Sequence, residues 1–238
     1  MHAWALAALD LVFPALCPVC EATLAAHRRD PLCGRCWATI RRLGPPACAR
    51  CGLPLPGATL TTAVCGACAL EPPAWDWARA GAEYEGVARD AVHAFKFHGR
   101  RALARPLADL LLEPWSAPLA AAAIDALVPV PLARARERER GFNQAALVAE
   151  RLAAALGVPL RPRWLARVRA TQPQSDLGAS ERRANVRGAF AADTAVAGRH
   201  VAIVDDVLTT GATAAECARI LRAAGAARVG VLAVARVL

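Results

Sequence analysis

Lysine is almost missing from this 238-residue chain: of 29 basic residues, Lys96 alone is a lysine. Also missing is any uninterrupted apolar run of about 18 residues, which excludes an ordinary membrane-spanning helix. The leading stretch from Met1 to Asp10 is apolar, but it lacks a basic opening and is interrupted by Asp10. It is therefore not expected to act as a secretory signal. Within and just beyond it, Leu6, Leu9 and Phe13 fit one packing face of a short helix. The length allows one or two domains, and a hydrophobic fraction of 56% is ample for a packed core. The preference for arginine, alongside abundant alanine, reads as a compositional bias more than a functional one. Position says more than the total. Between Arg134 and Arg187 stand twelve arginines against five acids. Such a stretch can hold pyrophosphate bidentately, track a nucleic-acid backbone, or form a solvated basic face.

The cysteines carry a clear pattern. They fall as Cys17 and Cys20, Cys33 and Cys36, Cys48 and Cys51, Cys65 and Cys68, with Cys217 apart. Each C-x-x-C knuckle directs two thiolates at one centre, and two knuckles complete a tetrahedral zinc site. The four pairs predict two structural zinc ions, with the first knuckle pairing the second and the third pairing the fourth. A cross-braced pairing stays open at this level. Redox or iron–sulfur use fits less well, because no βαβ pattern surrounds the knuckles. The segment 1–72 has few large apolar residues, so the metal is expected to supply much of its folding energy. Thiolate ligation also lowers the formal charge from +9 to about +5. Cys217 is expected to be a small buried hydrophobe.

The most informative stretch runs from Val201 to Thr213. Val201 to Val204 read as a buried strand, and Asp205 and Asp206 are expected where that strand ends. A hydroxyl-rich loop of Thr209, Thr210, Gly211, Ala212 and Thr213 follows, and then a helix over 214–224. Backbone N–H groups at a helix start bind phosphate, threonine hydroxyls add donors, and a glycine permits close approach. Two carboxylates beside such a loop suit the hydroxyls of a ribose whose 5′-phosphate sits in it. The alternative is an ordinary buried strand before a capped helix. The string resembles the signature of the type I phosphoribosyltransferases, which bind phosphoribosyl pyrophosphate (PRPP) with Mg²⁺.

Around it, Glu71-Pro72-Pro73 marks a break, which predicts a cysteine-rich zinc-binding domain over 1–72 and a second domain over 78–238. The second domain alternates predicted strands at 79–83, 126–130, 201–204 and 228–234 with helices at 87–97, 102–112, 143–156 and 214–224. That alternation argues for an α/β fold with a parallel sheet, whose ligands bind beyond the carboxyl ends of the strands.

Three further segments widen the resemblance: Ala94 to Gly99; Val128 to Leu132 leading into Arg138 to Gln144; and Arg167, Thr171, Gln172 and Gln174 leading into Arg183 to Phe190. With the knuckles, they resemble the ComF family, competence-associated proteins with a zinc-binding head on a phosphoribosyltransferase fold. The resemblance covers nearly the whole chain. It implies a double zinc ribbon on a type I phosphoribosyltransferase-like sheet flanked by helices. It also implies a PRPP site with Mg²⁺, single-stranded DNA as a partner, and a role in DNA uptake. Action in the cytoplasm, peripherally at the inner membrane and beside competence or recombination proteins, goes with it.

The resemblance also implies roles for individual residues. Asp205 and Asp206 would hold the ribose hydroxyls, directly or through Mg²⁺, and stabilise the oxocarbenium-like centre of any transfer. Thr209, Thr210, Gly211, Ala212 and Thr213 would hold the 5′-phosphate. Val130, Pro131 and Leu132 would form the pyrophosphate loop, or merely terminate a strand. Arg140, Asn143 and Gln144 would contact pyrophosphate or DNA, although Arg140 could instead pair with Glu137 or Glu139. Thr171 to Gln174 resembles a loop that closes over substrate. Asn185 and Arg187 read equally as stabilising or functional. Lys96, between Phe95 and Phe97, reads as an aromatic–basic contact for nucleic acid or as a surface lysine lying over the rings. His93 and His98 read as ordinary polar side chains. Two functions compete: a DNA-uptake factor carrying a PRPP-like ligand, and an active Mg²⁺-dependent phosphoribosyltransferase with an unidentified acceptor.

Overall fold

The computed structural model describes residues 15–24, 31–60, 62–171 and 178–238, and of residues 179 and 180 the backbone alone. The stripe of Leu6, Leu9 and Phe13 and the loop residues Gln172 and Gln174 lie outside the described residues.

In chain order the elements are α1 (Gly34–Thr39), α2 (Gly66–Leu70), β1 (Trp77–Glu83), α3 (Gly86–Phe97), α4 (Ala104–Ala121), β2 (Ala126–Pro129), α5 (Arg134–Arg140), α6 (Gln144–Leu156), β3 (Leu165–Arg167), α7 (Ala179–Val186), β4 (Phe190–Ala192), β5 (His200–Leu208), α8 (Ala212–Ala223) and β6 (Arg228–Arg236). Strands β1, β6, β5 and β2 pair in that order, all parallel, and β3 and β4 form a separate antiparallel pair. Strand residues alternate between two cores, as a sheet covered on both faces requires. Ala202, Val204, Leu232 and Val234 pack with Phe95, Leu107, Leu111 and Leu152 from α3, α4 and α6. Val201, Ile203, Val229 and Val231 pack with Cys217 and Leu221 of α8 and with Leu165 and Phe190. Cys217 is fully buried, as its apolar setting in the sequence predicts.

Strands β1 and β6 are each two residues longer than the sequence suggests, and two elements run much further. Helix α4 continues past the expected end at 112 and passes through Pro114 and Pro118. Proline weakens a helix interior by removing an N–H donor, but Trp115 and Leu119 beyond it are buried, and Trp115 Nε1 donates to the Ala80 carbonyl at 2.9 Å. Burial of those large side chains outweighs the local loss. The close approach of α4 to β1 depends on Gly81, where a Cβ would lie 2.4 Å from the Leu110 carbonyl oxygen. The second extension is β5. It runs through Asp205 and Asp206 to Leu208 because β6 stays in register beside it, Asp205 with Ala233 and Leu208 with Arg236.

Both edges of the sheet are covered. The segment before the second pair of knuckles lies antiparallel to β1, with Leu43 N–H donating to the Gly81 carbonyl and Glu83 N–H to the Arg41 carbonyl, each at 2.9 Å. At the other edge, Leu127 N–H donates to the Pro159 carbonyl and Arg161 N–H to the Leu127 carbonyl. Such cover removes the unpaired strand edges that invite aggregation. Among the described residues, no helix is long and apolar enough to cross a membrane.

Candidate functional site

At the carboxyl ends of β2 and β5 lies a cleft of about 570 Å³. Its floor carries Asp205 and Asp206, and its sides include Val130, Pro131 and Leu132, Arg140, and the loop residues Thr209, Gly211, Ala212 and Thr213. Thr210 is not on its wall; its hydroxyl accepts the Ala212 N–H at 3.4 Å, bracing the loop from within. The loop enters α8 through Gly211, whose φ of +74° is left-handed and costly for other residues. A Cβ there would also stand 2.8 Å from the Trp75 ring. The structure thus brings the acidic pair, the loop after β5 and the loop after β2 to one opening.

The acidic pair sits within β5 and not beyond its end, which corrects the expected strand boundary. Strand alternation gives the two carboxylates different surroundings. Asp206 is 4% exposed and its Oδ1 is 2.8 Å from Lys96 Nζ. Its Oδ2 is buried with no hydrogen-bond partner among the described residues. Asp205 Oδ1 accepts the Asp206 N–H at 2.8 Å. Burial, and then the charge of Asp206, push the Asp205 carboxyl up to about 7 against the opposing pull of Lys96. Burial disfavours the Lys96 charge as well, but the Asp206 carboxylate outweighs it and holds the ammonium above the ordinary lysine value. Burial draws both the Arg140 and the Arg167 guanidinium below the usual arginine value, and both remain charged near neutrality.

Lys96 is the residue whose role sequence reasoning missed. It neither lies over Phe95 and Phe97 nor faces solvent; it turns inward to the acidic pair. Its isolation in an arginine-rich chain was the one signal, since a compact ammonium fits where a planar guanidinium does not. Arg140 pairs with neither Glu137 nor Glu139: it donates to Gln144 Oε1 and lies over the Phe97 ring, 5.3 Å from its centroid. Asn143 is committed to structure. Its Oδ1 caps α6 by accepting the Ala145 and Ala146 N–H groups, and its Nδ2 donates to the Val130 carbonyl at 3.0 Å. That last bond anchors the loop after β2. Arg167 donates to the Thr171 hydroxyl, and both line the cleft. Arg169 donates to the carbonyls of Asn185 and Arg187, so the backbone of that segment serves the fold. Phe97, from the Ala94–Gly99 segment, also reaches the cleft, as do Tyr84, His93, Arg136 and Arg182, which carry no sequence motif.

The cysteines gather into two tetrads, Cys17 with Cys20, Cys33 and Cys36, and Cys48 with Cys51, Cys65 and Cys68. Within each, the sulfur atoms all lie within 4.8 Å of one another, as four thiolates around one tetrahedral zinc require. The backbone is already folded around these sulfurs: Cys48 Sγ accepts the N–H groups of Cys51 and Cys65, and Cys33 Sγ accepts that of Cys36. These are two structural zinc sites. Among the described residues, Leu53 and Leu55 are the only other apolar side chains packed against the cysteines of the second, too little to fold without metal.

Comparison with known proteins matches residues 8–69 to the double zinc ribbon domain and residues 116–237 to the phosphoribosyl transferase domain. The chain is 37% identical over 231 residues to the DNA utilization protein YhgH of Salmonella typhimurium, spanning 96% of this chain and 100% of that protein. It is 32% identical over 214 residues to competence protein F of Haemophilus influenzae, spanning 87% of this chain and 91% of that one. It is also 37% identical over 102 residues to competence protein ComFC of Bacillus subtilis, covering 42% and 40% of the two chains.

Proposed function

Because the chain belongs to the ComF family, which joins a double zinc ribbon to a phosphoribosyltransferase domain, we propose that it serves DNA uptake. In this reading the cleft holds a PRPP-like ligand and the arginine-rich surface beside it holds single-stranded DNA. The observation that carries it is the convergence of the acidic pair, the threonine loop and Arg140 in one cleft. The division into a zinc-binding domain over 1–72 and a transferase-like domain over 78–238, and a place in the cytoplasm near the inner membrane, belong to the same proposal.

The loop backbone at the start of α8, with the hydroxyls of Thr209 and Thr213 on the cleft wall, would take the 5′-phosphate, and Thr210 would brace that loop from within. Asp205 and Asp206 would take the ribose hydroxyls, and Val130 to Leu132 with Arg140 the pyrophosphate. Asp206 lines this cleft and its buried Oδ2 has no hydrogen-bond partner among the described residues, a hard oxygen donor of the kind that fits Mg²⁺ and its waters. When bound, that ion would supply positive charge to the pyrophosphate. The chain's own contribution is orientation: Lys96 fixes one oxygen of Asp206, and Asn143 fixes the loop that faces it. The same completeness of the acidic pair and the loop favours a second reading, Mg²⁺-dependent phosphoribosyl transfer to an unidentified acceptor.

Separating the two surfaces tests the proposal. In the Asp205→Asn/Asp206→Asn variant, PRPP binding should be lost while single-stranded DNA still binds. In an Arg134→Ala/Arg138→Ala variant, which leaves the cleft wall intact, the opposite should hold, and the salt dependence of DNA affinity should flatten by about 0.7 per lost phosphate contact. Normal DNA binding by the arginine variant would contradict this account.

A further inference from the structure

The last turn of α3 carries an aromatic cluster that neither the ribose-phosphate site nor the core uses. Phe97 is 60% exposed, and it lines the cleft mouth together with His93. The two rings lie 4.6 Å apart, His93 meets His98 edge-on at 5.5 Å, and the Arg140 guanidinium lies over Phe97. The neighbours of Phe97 in sequence are committed elsewhere. Phe95 is fully buried and packs on Phe142, and Lys96 is held by Asp206. Three side chains with flat, stackable surfaces therefore converge at the opening, one of them an exposed phenylalanine.

We propose that Phe97, flanked by His93 and Arg140, is a stacking platform for a base of single-stranded DNA at the mouth of the cleft. The proposal rests on the DNA-binding reading above and names the contact that reading lacks. Aromatic rings and guanidinium planes accept any base through its π-face, so the site would be indifferent to sequence. A strand is a better occupant than a free base, because a small-molecule site encloses most of its ligand whereas this ring is open. The charge around it also suits a strand. Arg140 closes α5, whose Arg134, Arg136 and Arg138 are exposed, so phosphates flanking a stacked base would meet arginines on the adjoining helix. Of the two acids on that helix, Glu139 is paired with Arg136 at 2.9 Å. Lys96, held by Asp206, is not available as a phosphate contact.

The test compares two labelled strands of equal length and charge, oligothymidylate and an abasic oligomer, by fluorescence anisotropy on the zinc-loaded full chain. Phe97→Ala and Phe97→Leu should each weaken oligothymidylate binding by about 5- to 150-fold, the range for one stacked base. Phe97→Trp should restore it. The abasic strand should bind the wild type more weakly than oligothymidylate and should be indifferent to all three substitutions, whose unchanged thermal midpoints would show intact folding. Equal weakening of both strands by Phe97→Ala, or undiminished oligothymidylate binding by Phe97→Ala or Phe97→Leu, would overturn the proposal while leaving DNA binding in place. A wild type that binds neither strand would overturn the proposal and the DNA-binding reading together.

Discussion

Lys96 and Asp206 come from a helix and a strand far apart in sequence, and their contact changes what the acidic pair is. One carboxylate is already neutralised by a fixed ammonium, so the cleft floor is less negative than two adjacent aspartates suggest. Breaking a buried pair strands the surviving charge. Lys96→Met should therefore destabilise the protein by about 3–5 kcal/mol, and adding Asp206→Asn should recover much of that loss. Urea unfolding of the single and double variants would check this; a double variant as unstable as Lys96→Met would refute the pairing. The acidic pair and the threonine loop were legible because their chemistry is contiguous along the chain. Lys96 stood out as the lone lysine, but nothing local could name its partner. The same holds for Arg140, whose contacts to Phe97 and Gln144 displaced the expected pairing with nearby glutamates.

The four strands of the main sheet and the helices α3, α4, α6 and α8 were legible in order and kind, since β-branched runs and helical periodicity are local signals, whereas the short α5, α7, β3 and β4 were not. Nor were the ends of the legible elements. Strand β5 runs on through the acids because β6 stays beside it, and α4 runs on through two prolines because Trp115 and Leu119 are buried. A further link between strands is invisible in sequence. The Trp77 indole of β1 crosses β6 at Gly230, where a Cβ would lie 2.1 Å from the ring, and donates to His200 Nε2 on β5 at 3.0 Å. Gly230→Ala should displace that ring and cost about 1–3 kcal/mol, read as a lower urea midpoint; an unchanged midpoint would show that the crossing is not tight. With Nε2 accepting from Trp77, the His200 proton sits on Nδ1, facing the Ala123 carbonyl at 3.2 Å. Burial, then the charge of Arg228, hold its pKa below the ordinary value of 6.5. The unfolded chain therefore takes up this proton first as pH falls. The His200 contribution is complete above about pH 6.5 and is lost progressively below it. Asp205, with its raised value of about 7, acts in the opposite sense as pH falls. Comparison with His200→Gln removes that shared effect: the wild-type advantage should shrink between pH 7 and pH 5, and a constant difference would contradict the assignment.

At the scale of the whole molecule, the zinc-binding region is built onto the sheet. It covers the free side of β1, and Arg79 and Arg236 reach from the sheet to the carbonyls of Ala49 and Cys51 in the second ribbon. Trp75 joins that ribbon to the threonine loop after β5: its Nε1 donates to the Arg50 carbonyl at 3.2 Å while its ring packs against Gly211. Removing zinc with a strong chelator should therefore lower the thermal midpoint of the whole protein and weaken PRPP binding at a loop the metal never touches. Unaltered PRPP affinity after verified loss of both ions would show that the two regions are uncoupled. Cysteine spacing made the ribbons plain in sequence; their seating on β1 and their contact with the loop depend on tertiary packing and were not.

Calorimetric titration of PRPP with Mg²⁺ into the zinc-loaded wild type and the Asp205→Asn/Asp206→Asn variant tests the central claim most directly. The account predicts saturable binding to the wild type and its loss in a folded variant. Ligand at 100 times its Kd should also add about 2.7 kcal/mol to wild-type stability. Absence of binding to well-folded wild type, or equal binding to both proteins, would contradict a ribose-phosphate site at Asp205 and Asp206.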